Sequence, residues 1–319
     1  MTKPLVSICM PVYNAASYIK DSIQSLLAQT YTNWELIVVN DGSTDGTDRI
    51  LRAFIDERIK VFHQKNKGQS AAANQAFNLS EGQYIKFFDA DDLLSPNFLI
   101  SQVNRLTSNP DSVVSAQWGR FYDDNMDTFK LNPEPVWRDM SPDEWLITAW
   151  TDAQPMMQCA LWLIPRNTLL LSGLWDEKLS LINDFEFFTR VLLNSKKVLF
   201  EPEATLYYRS GLKGSVSGAK TRASYESAFC AIKNACSMLL SYRNDTKAQL
   251  ACSNIWQNFI YEIYPKHADL IASAKTNIAQ LIKPSLSYPC GGYTKIAKQL
   301  IGWKAIKRLK NKIENSHNR

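Results

Sequence analysis

The chain has 319 residues, of which 45% are hydrophobic and 21% charged. That balance excludes a disordered or collagen-like chain and allows one large domain or a domain with an appendage. The formal charge of +5 is unevenly placed: Lys295, Lys298, Lys304, Lys307, Arg308, Lys310 and Lys312 sit together with no acid among them, so the remainder is weakly acidic.

Leu5 to Val12 is a short apolar, β-branched run ending in Tyr13-Asn14, and Tyr18, Ile19, Ile23, Leu26 and Leu27 follow at helical spacing. Trp34 to Val39 reads as a second strand, ending at Asn40-Asp41-Gly42-Ser43, whose polar side chains suit the start of a helix through Thr47, Ile50, Leu51 and Phe54. Ile59 to Phe62 is a third strand, Asn66-Lys67-Gly68 a turn opening a helix over Ala71 to Leu79, and Tyr84 to Phe88 a fourth strand running into Asp89-Ala90-Asp91-Asp92. Four alternations of strand and helix with short connections predict a parallel sheet covered by helices. In such sheets ligands bind beyond the carboxyl ends of the strands. Tyr13, Asp41 and the Asp89–Asp92 cluster all fall at such ends.

Farther along, Val113 to Phe121 and Cys159 to Ile164 read as strands, Asp184 to Asn194 as a helix, and Val198 to Phe200 and Thr205 to Tyr208 as two short strands. From about Ala219 onward the pattern is helical, over Tyr225–Tyr242, Ala248–Tyr264, Leu270–Ile282 and Lys295–Ile313. The Gly- and Ser-rich stretch from Gly211 to Gly218 is the expected boundary between these two parts. The six cysteines are scattered among apolar neighbours with no Cys-x-x-Cys pair, as reduced buried thiols are. No secretory signal is recognised and no apolar run reaches the ~18–20 residues that span a bilayer, so the expected location is cytoplasmic.

The acidic cluster carries the sharpest chemistry. Asp89 and Asp91 follow an apolar strand, and carboxylates so held suit Mg²⁺ or Mn²⁺, which take hard oxygen ligands together with substrate phosphates. On spacing alone the same residues read equally as an Asp-rich turn before the helix that begins near Pro96. There is no Walker loop and no Gly-x-Gly-x-x-Gly, and three histidines, His63, His267 and His317, leave hydrolytic triads and metalloprotease schemes without partners.

Five segments in order then resemble the donor-binding half of the family-2 glycosyltransferases. They are Val6 to Asn14, Ser25 to Tyr31, Trp34 to Asp45, Asn66 to Asn74, and Gly82 to Asp92. The resemblance implies the GT-A fold, α/β with a mostly parallel, Rossmann-like sheet flanked by helices, here with a helical C-terminal extension. It implies that Pro11, Tyr13 and Asp41 border the nucleoside, that Asp89 and Asp91 lie at the ribose and a metal-bound diphosphate, and that Asn14, Gly68, Ala90 and Arg209 complete the nucleotide-sugar set. Asp91 is the expected metal ligand, with Asp89, for Mn²⁺ or Mg²⁺. A weaker match over residues 173–190 implies that Asp184 is the general base, against the alternative that it caps its helix. Ala73, Asn183 and Leu212 stand where many relatives carry arginine, glutamate and histidine, with Lys213 or Arg209 as replacement positive charge.

The expected organisation is therefore a catalytic domain over residues 1–215, divided into a nucleotide-sugar half (1–95) and an acceptor half (96–215), and a helical region over 216–319. The expected activity is inverting, metal-dependent transfer from a UDP-sugar to a glycan or lipid-linked acceptor in surface-polysaccharide synthesis. The rival reading is an inactive sugar-nucleotide- or glycan-binding protein. At the C-terminus, Ile296, Leu300, Trp303, Ile306, Leu309 and Ile313 recur at helical spacing opposite the lysines, predicting a basic amphipathic helix over 295–313; the favoured reading is peripheral contact with the inner face of an anionic membrane, the alternative a helix packed on the domain with a solvated basic face. No nucleic-acid recognition motif accompanies the charge.

Overall fold

The computed structural model describes residues 3–153, 155–212 and 220–317. In chain order it opens with β1 (Val6–Val12), α1 (Ile19–Leu27), β2 (Trp34–Asn40), α2 (Thr47–Leu51), β3 (Ile59–His63), α3 (Gln69–Leu79) and β4 (Tyr84–Phe87). These four strands pair in parallel in the order β3-β2-β1-β4. The two central strands are buried on both faces, which is why they read as continuous apolar runs. Beneath β1, α3 presents Ala72, Ala73 and Ala76, whose small side chains let the helix lie close. Gly82 has a similar steric origin: a Cβ there would stand 2.6 Å from the backbone nitrogen of Ser7.

β5 (Leu93–Leu94), α4 (Phe98–Thr107), β6 (Val113–Tyr122), β7 (Asn125–Leu131) and α5 (Pro142–Thr151) follow, then a 3₁₀ turn (Cys159–Leu161), β8 (Ile164–Pro165), α6 (Arg166–Ser172), α7 (Asn183–Leu193) and β9 (Val198–Ser210). β8 adds to the first sheet antiparallel to β4, and β5-β9-β6-β7 form a second, mixed sheet. Two expectations are corrected here. The first half of the strand predicted over Cys159 to Ile164 is the 3₁₀ turn, because side chains capture its backbone. The Gln158 side-chain oxygen Oε1 accepts the Ala160 N–H, and Lys86 Nζ donates to the Ala160 and Trp162 backbone carbonyls. The two strands predicted on either side of Pro202 are one strand, β9, whose pairing with β6 jumps from Glu201 to Thr205. The jump carries Pro202, which has no N–H to donate, out of the ladder.

The last four helices are α8 (Arg222–Tyr242), α9 (Thr246–Ile263), α10 (Ala268–Ala279) and α11 (Tyr293–His317). The boundary expected between Gly211 and Gly218 falls largely outside the described residues. Beyond it, the helices share one hydrophobic core with the sheet: the buried cluster runs from Val6 to Ala274 and includes Ala228, Ile232, Leu239, Ile255 and Phe259. Arg243 reinforces the join by donating to Asp143 at 2.8 Å and Glu144 at 2.6 Å, both on α5.

The C-terminal helix departs from expectation. At Gly302 the backbone leaves helical geometry (φ 75°, ψ 160°), so a single continuous amphipathic face does not form. Trp303 and Ile306 pack on the aromatic group Tyr261, Tyr264 and Tyr288, and Arg308 and Lys310 lie over the rings of Tyr264 and Tyr288. Ile296, Leu300, Ile301, Leu309 and Ile313 stay exposed. None of the described helices is long and apolar enough to cross a membrane.

Candidate functional site

The parallel strands deliver their polar ends to one cleft of about 920 Å³. Its lining includes Pro11, Tyr13, Asn14, Asp41, Gly68, Asp89, Ala90, Asp91 and Asp184, residues singled out from separate stretches of sequence.

At the end of β1, Asn14 takes a left-handed conformation (φ 49°), which Asn tolerates better than most residues. Its Oδ1 accepts the Thr44 N–H at 2.8 Å and its own N–H donates to Ser43 Oγ at 3.0 Å, tying β1 to the loop after β2. The neighbouring Tyr13 ring is left exposed at the mouth of the cleft. Asp41 is almost fully buried. Its Oδ1 accepts from Gln64 Nε2 (2.7 Å) and the Lys67 N–H (2.8 Å), and its Oδ2 from the Gly68 N–H (2.8 Å). The carboxylate thus holds the turn that starts α3, where Gly68 sits at φ 94°, ψ 162°, a conformation essentially confined to glycine. A carboxylate has about four lone-pair positions, so one on Oδ2 stays open to a ligand.

The acidic cluster is organised by two glutamines. Gln69 Nε2 donates to Asp89 Oδ1 at 2.9 Å, and Gln158 Nε2 donates to Asp89 Oδ2 at 3.0 Å and Asp92 Oδ2 at 2.7 Å. Asp92 Oδ1 accepts the Arg209 N–H at 2.9 Å. Oxygens of Asp89, Asp91 and Asp92 lie within 4.8 Å of one another. Burial, followed by mutual repulsion, raises their pKa values: Asp91 to about 7, by burial and then the Asp89 charge, and Asp92 well above the ordinary range, by burial and then Asp91 and Asp89. Asp89 is raised by burial, against the hydrogen bonds of Gln158, Cys159 and Gln69.

These residues fit a divalent cation. Three hard carboxylates converge, and no cationic side chain among the described residues donates to the carboxylates of Asp89 or Asp91. Asp89 and Asp91 line the cleft, whereas Asp92 is 1% exposed and committed to its protein donors through both oxygens.

Arg209 does not take the place the resemblance gave it. Its guanidinium is buried outside the lining of the cleft, donates through Nε to the Asp91 carbonyl at 2.7 Å, and lies between the rings of Tyr18 and Phe121. It faces Asp21 at 3.9 Å and pairs with Asp124. β9 sends alternate side chains to opposite faces, so Tyr208 reaches the cleft and Arg209 supports the loop from behind. Lys213, the other suggested cation, lies outside the described residues, while Leu212 borders the cleft.

Asp184 lines the same cleft. Its helix, α7, is capped by Ile182, which holds a left-handed backbone (φ 52°) that β-branched residues seldom adopt, and no side chain bonds at the cap. The capping alternative for Asp184 therefore does not hold. Asn183 Oδ1 accepts the Asp184 N–H at 3.1 Å while its Nδ2 donates to Ser70 Oγ at 3.2 Å, so the residue that replaces a glutamate joins α7 to α3. Burial, then the nearby Asp89 charge, push the Asp184 carboxyl well above the ordinary range. Asn74 completes the join: it donates to the Trp175 carbonyl at 2.9 Å and Glu177 at 3.0 Å and accepts the Trp175 N–H at 3.0 Å. Ala73, beside it, is buried in the core.

Sequence reasoning missed Gln69 and Gln158, which hold the carboxylates, and the far wall, made by Met156, Met157, Leu181, Ala228, Ile232, Ile255, Phe259, Asn258 and Glu262. Gln69 lies inside a recognised motif; Gln158 lies in none. The wall residues of α8 and α9 have the spacing of ordinary core positions.

The profile of glycosyl transferase family 2 matches residues 7–166. An uncharacterised glycosyltransferase of Rickettsia typhi is 33% identical over 208 residues, covering 65% of this chain and 64% of the relative. The putative teichuronic acid biosynthesis glycosyltransferase TuaG of Bacillus subtilis is 47% identical over 93 residues, 28% of this chain and 37% of TuaG. The chain thus spans less than two thirds of the length of these curated relatives. Among solved structures, Staphylococcus aureus TarS 1-349 in complex with UDP-GlcNAc superposes with a TM-score of 0.62 at 17% identity, covering 87% of this chain and 88% of that one. At that identity the likeness speaks for the fold, and it is the GT-A-like arrangement that the strand order and cleft describe. With half of its length matched by the family profile and its strand-end motifs gathered in one cleft, the chain belongs to glycosyl transferase family 2.

Proposed function

We propose that the chain is an inverting glycosyltransferase that moves a sugar from a UDP-sugar to an acceptor hydroxyl in surface-polysaccharide synthesis. The observation that carries this reading is one cleft lined by Asp89, Asp91 and Asp184, the last half-buried and of raised basicity. In this reading Pro11, Tyr13 and the open lone pair of Asp41 meet the nucleoside, and Asn14, Gly68 and Ala90 shape the loops around it. Asp91, with Asp89, holds Mn²⁺ or Mg²⁺, which when bound offsets the charge of the departing diphosphate. Asp184 accepts the proton of the acceptor hydroxyl as its oxygen bonds to the anomeric carbon and the bond from that carbon to the diphosphate oxygen breaks. Residues 1–95 serve the donor and residues 96–215 the acceptor, with α8 and α9 closing the acceptor end. The UDP choice is supported by TarS complexes with UDP-GlcNAc and with UDP, and the polysaccharide context by the name of TuaG.

The test is thermal unfolding with UDP, GDP, CMP and ADP, each with and without Mn²⁺, on wild type and Asp91→Ala. A ligand at about 100 times its Kd stabilises the native state by about 2.7 kcal/mol. The expected result is a UDP shift that needs Mn²⁺ and is lost in the variant. No shift with any nucleotide would overturn the reading in favour of a glycan-binding protein.

A second element of the proposal is contact with an anionic membrane on the cytoplasmic side. It is favoured by exposed Ile296, Leu300, Ile301, Leu309 and Ile313 set among the basic residues of 295–313. Equal partitioning of full-length and 1–292 proteins onto anionic vesicles would refute it.

A further inference from the structure

Gln158 belongs to none of the motifs, yet it stands where the carboxylates converge. Its Oε1 accepts the Ala160 N–H at 2.7 Å, which fixes which way the amide faces. Nε2 is then turned to the acids, reaching Asp92 Oδ2 at 2.7 Å and Asp89 Oδ2 at 3.0 Å. The turn that carries it is itself anchored. Lys86, fully buried on β4, donates to the carbonyls of Ala160 at 2.7 Å and Trp162 at 3.1 Å. A second support therefore reaches the acidic cluster from outside its own loop: from β4 through Lys86 to the 3₁₀ turn, and from the turn through Gln158 to the carboxylates.

The chemistry of the group matters as much as its place. A lysine or arginine at this point would balance the carboxylates and compete with a divalent ion. A carboxamide donates to two acids without adding charge, so it draws them together and leaves their negative charge for a cation. Among the described residues no side chain donates to the Asp91 carboxylate, which is the oxygen pair left open on the cleft side.

Resting on the metal-dependent reading above, we propose that Gln158 is a positioning residue for the cation site, holding Asp89 and Asp92 side by side so that Asp89 and Asp91 together meet the ion. Partners that orient ligands from behind commonly set affinity by about 10–100-fold. Gln158 does so here through two hydrogen bonds from one amide nitrogen.

The experiment is equilibrium Mn²⁺ binding, with UDP present and absent, read from the electron paramagnetic resonance signal of free Mn²⁺. It uses wild type, Gln158→Leu and the closely matched Gln158→Met, with thermal unfolding in metal-free buffer to establish that each is folded. The expected result is an Mn²⁺ Kd raised about 10–100-fold in both variants. If Gln158→Leu does not fold, Gln158→Met carries the same comparison. Wild-type Mn²⁺ affinity in a folded variant, even one with a lowered melting temperature, would overturn the inference and leave Gln158 a purely structural residue. Failure of wild type to bind Mn²⁺ would instead overturn the metal-dependent reading itself.

Discussion

The two sides of the cleft are built by different means. The side proposed to take the donor is made of strand ends: β1, β2 and β4 run parallel and each hands over a short polar segment at the same edge. Its groups are fixed by local hydrogen bonds such as Asn14 to the Thr44 N–H and Asp41 to the Gly68 N–H. The side proposed to take the acceptor is assembled from faces of α7 and of the consecutive helices α8 and α9, and is mostly apolar. A strand end commits a few contiguous residues to one job, whereas a helix face shares its spacing with every packed helix in the core. The first kind of wall is written as motifs; the second is written as hydrophobic periodicity.

The sharpest break between the sides is Asp184→Asn. Loss of a general base costs about 10²–10⁴ in rate, so transfer should fall by that factor while the UDP shift in thermal unfolding persists. A variant that keeps transfer would show that the two carboxylate walls do not divide the labour in this way.

The pH dependence probes their coupling. In the proposed mechanism Asp184 must be ionised to accept a proton, and burial with the Asp89 charge raises its pKa. Activity should therefore fall on acidification with a midpoint above the ordinary aspartate range, by about tenfold for each pH unit below it. Because the Asp89 charge contributes, rising Mn²⁺ should move that midpoint to lower pH; a midpoint insensitive to Mn²⁺ would separate the two walls electrostatically.

Asn74→Ala crosses the comparison, since this residue sits on a donor-side helix and holds an acceptor-side segment. Removing it leaves the Trp175 N–H without its partner, at a cost of about 1–3 kcal/mol. The expected kinetics are a raised KM for acceptor with UDP binding unchanged. On the far wall, Ile232→Val should lower stability by about 0.5–1.5 kcal/mol and raise the acceptor KM slightly, again sparing the donor. The smallest effect is expected for Gly302→Ala. Its φ of 75° disfavours any Cβ, so vesicle partitioning should change while transfer to a water-dispersed acceptor does not.

Much of the donor side is legible in the residues alone. The strands, their order of appearance and the polar ends follow from apolar runs punctuated by Tyr13, Asp41 and Asp89, because a fully buried parallel strand has a distinctive composition. Arg209 is misplaced by sequence reasoning for want of one fact, which face of β9 it occupies. The pairing slip at Pro202 sets that face; the proline marks a break in the ladder, but the number of residues skipped has no signature in the sequence. The 3₁₀ turn reads as a strand because Gln158 caps it from the preceding position and Lys86, more than seventy residues away, takes up its carbonyls. The kink in the last helix is visible only as a glycine at 302, a residue that an amphipathic pattern tolerates as readily as it breaks.

The helix α3 has a practical consequence for anyone recombining these enzymes. It carries Gln69 against the donor-side acid, Ser70 against Asn183, and Asn74 against residues 175 and 177. A chimera joined near residue 95, which would look like a clean exchange of acceptor specificity, would graft a foreign 173–183 segment onto a helix shaped for another. Swaps should therefore move α3 and that segment as a matched pair, and libraries that vary one should vary the other with it.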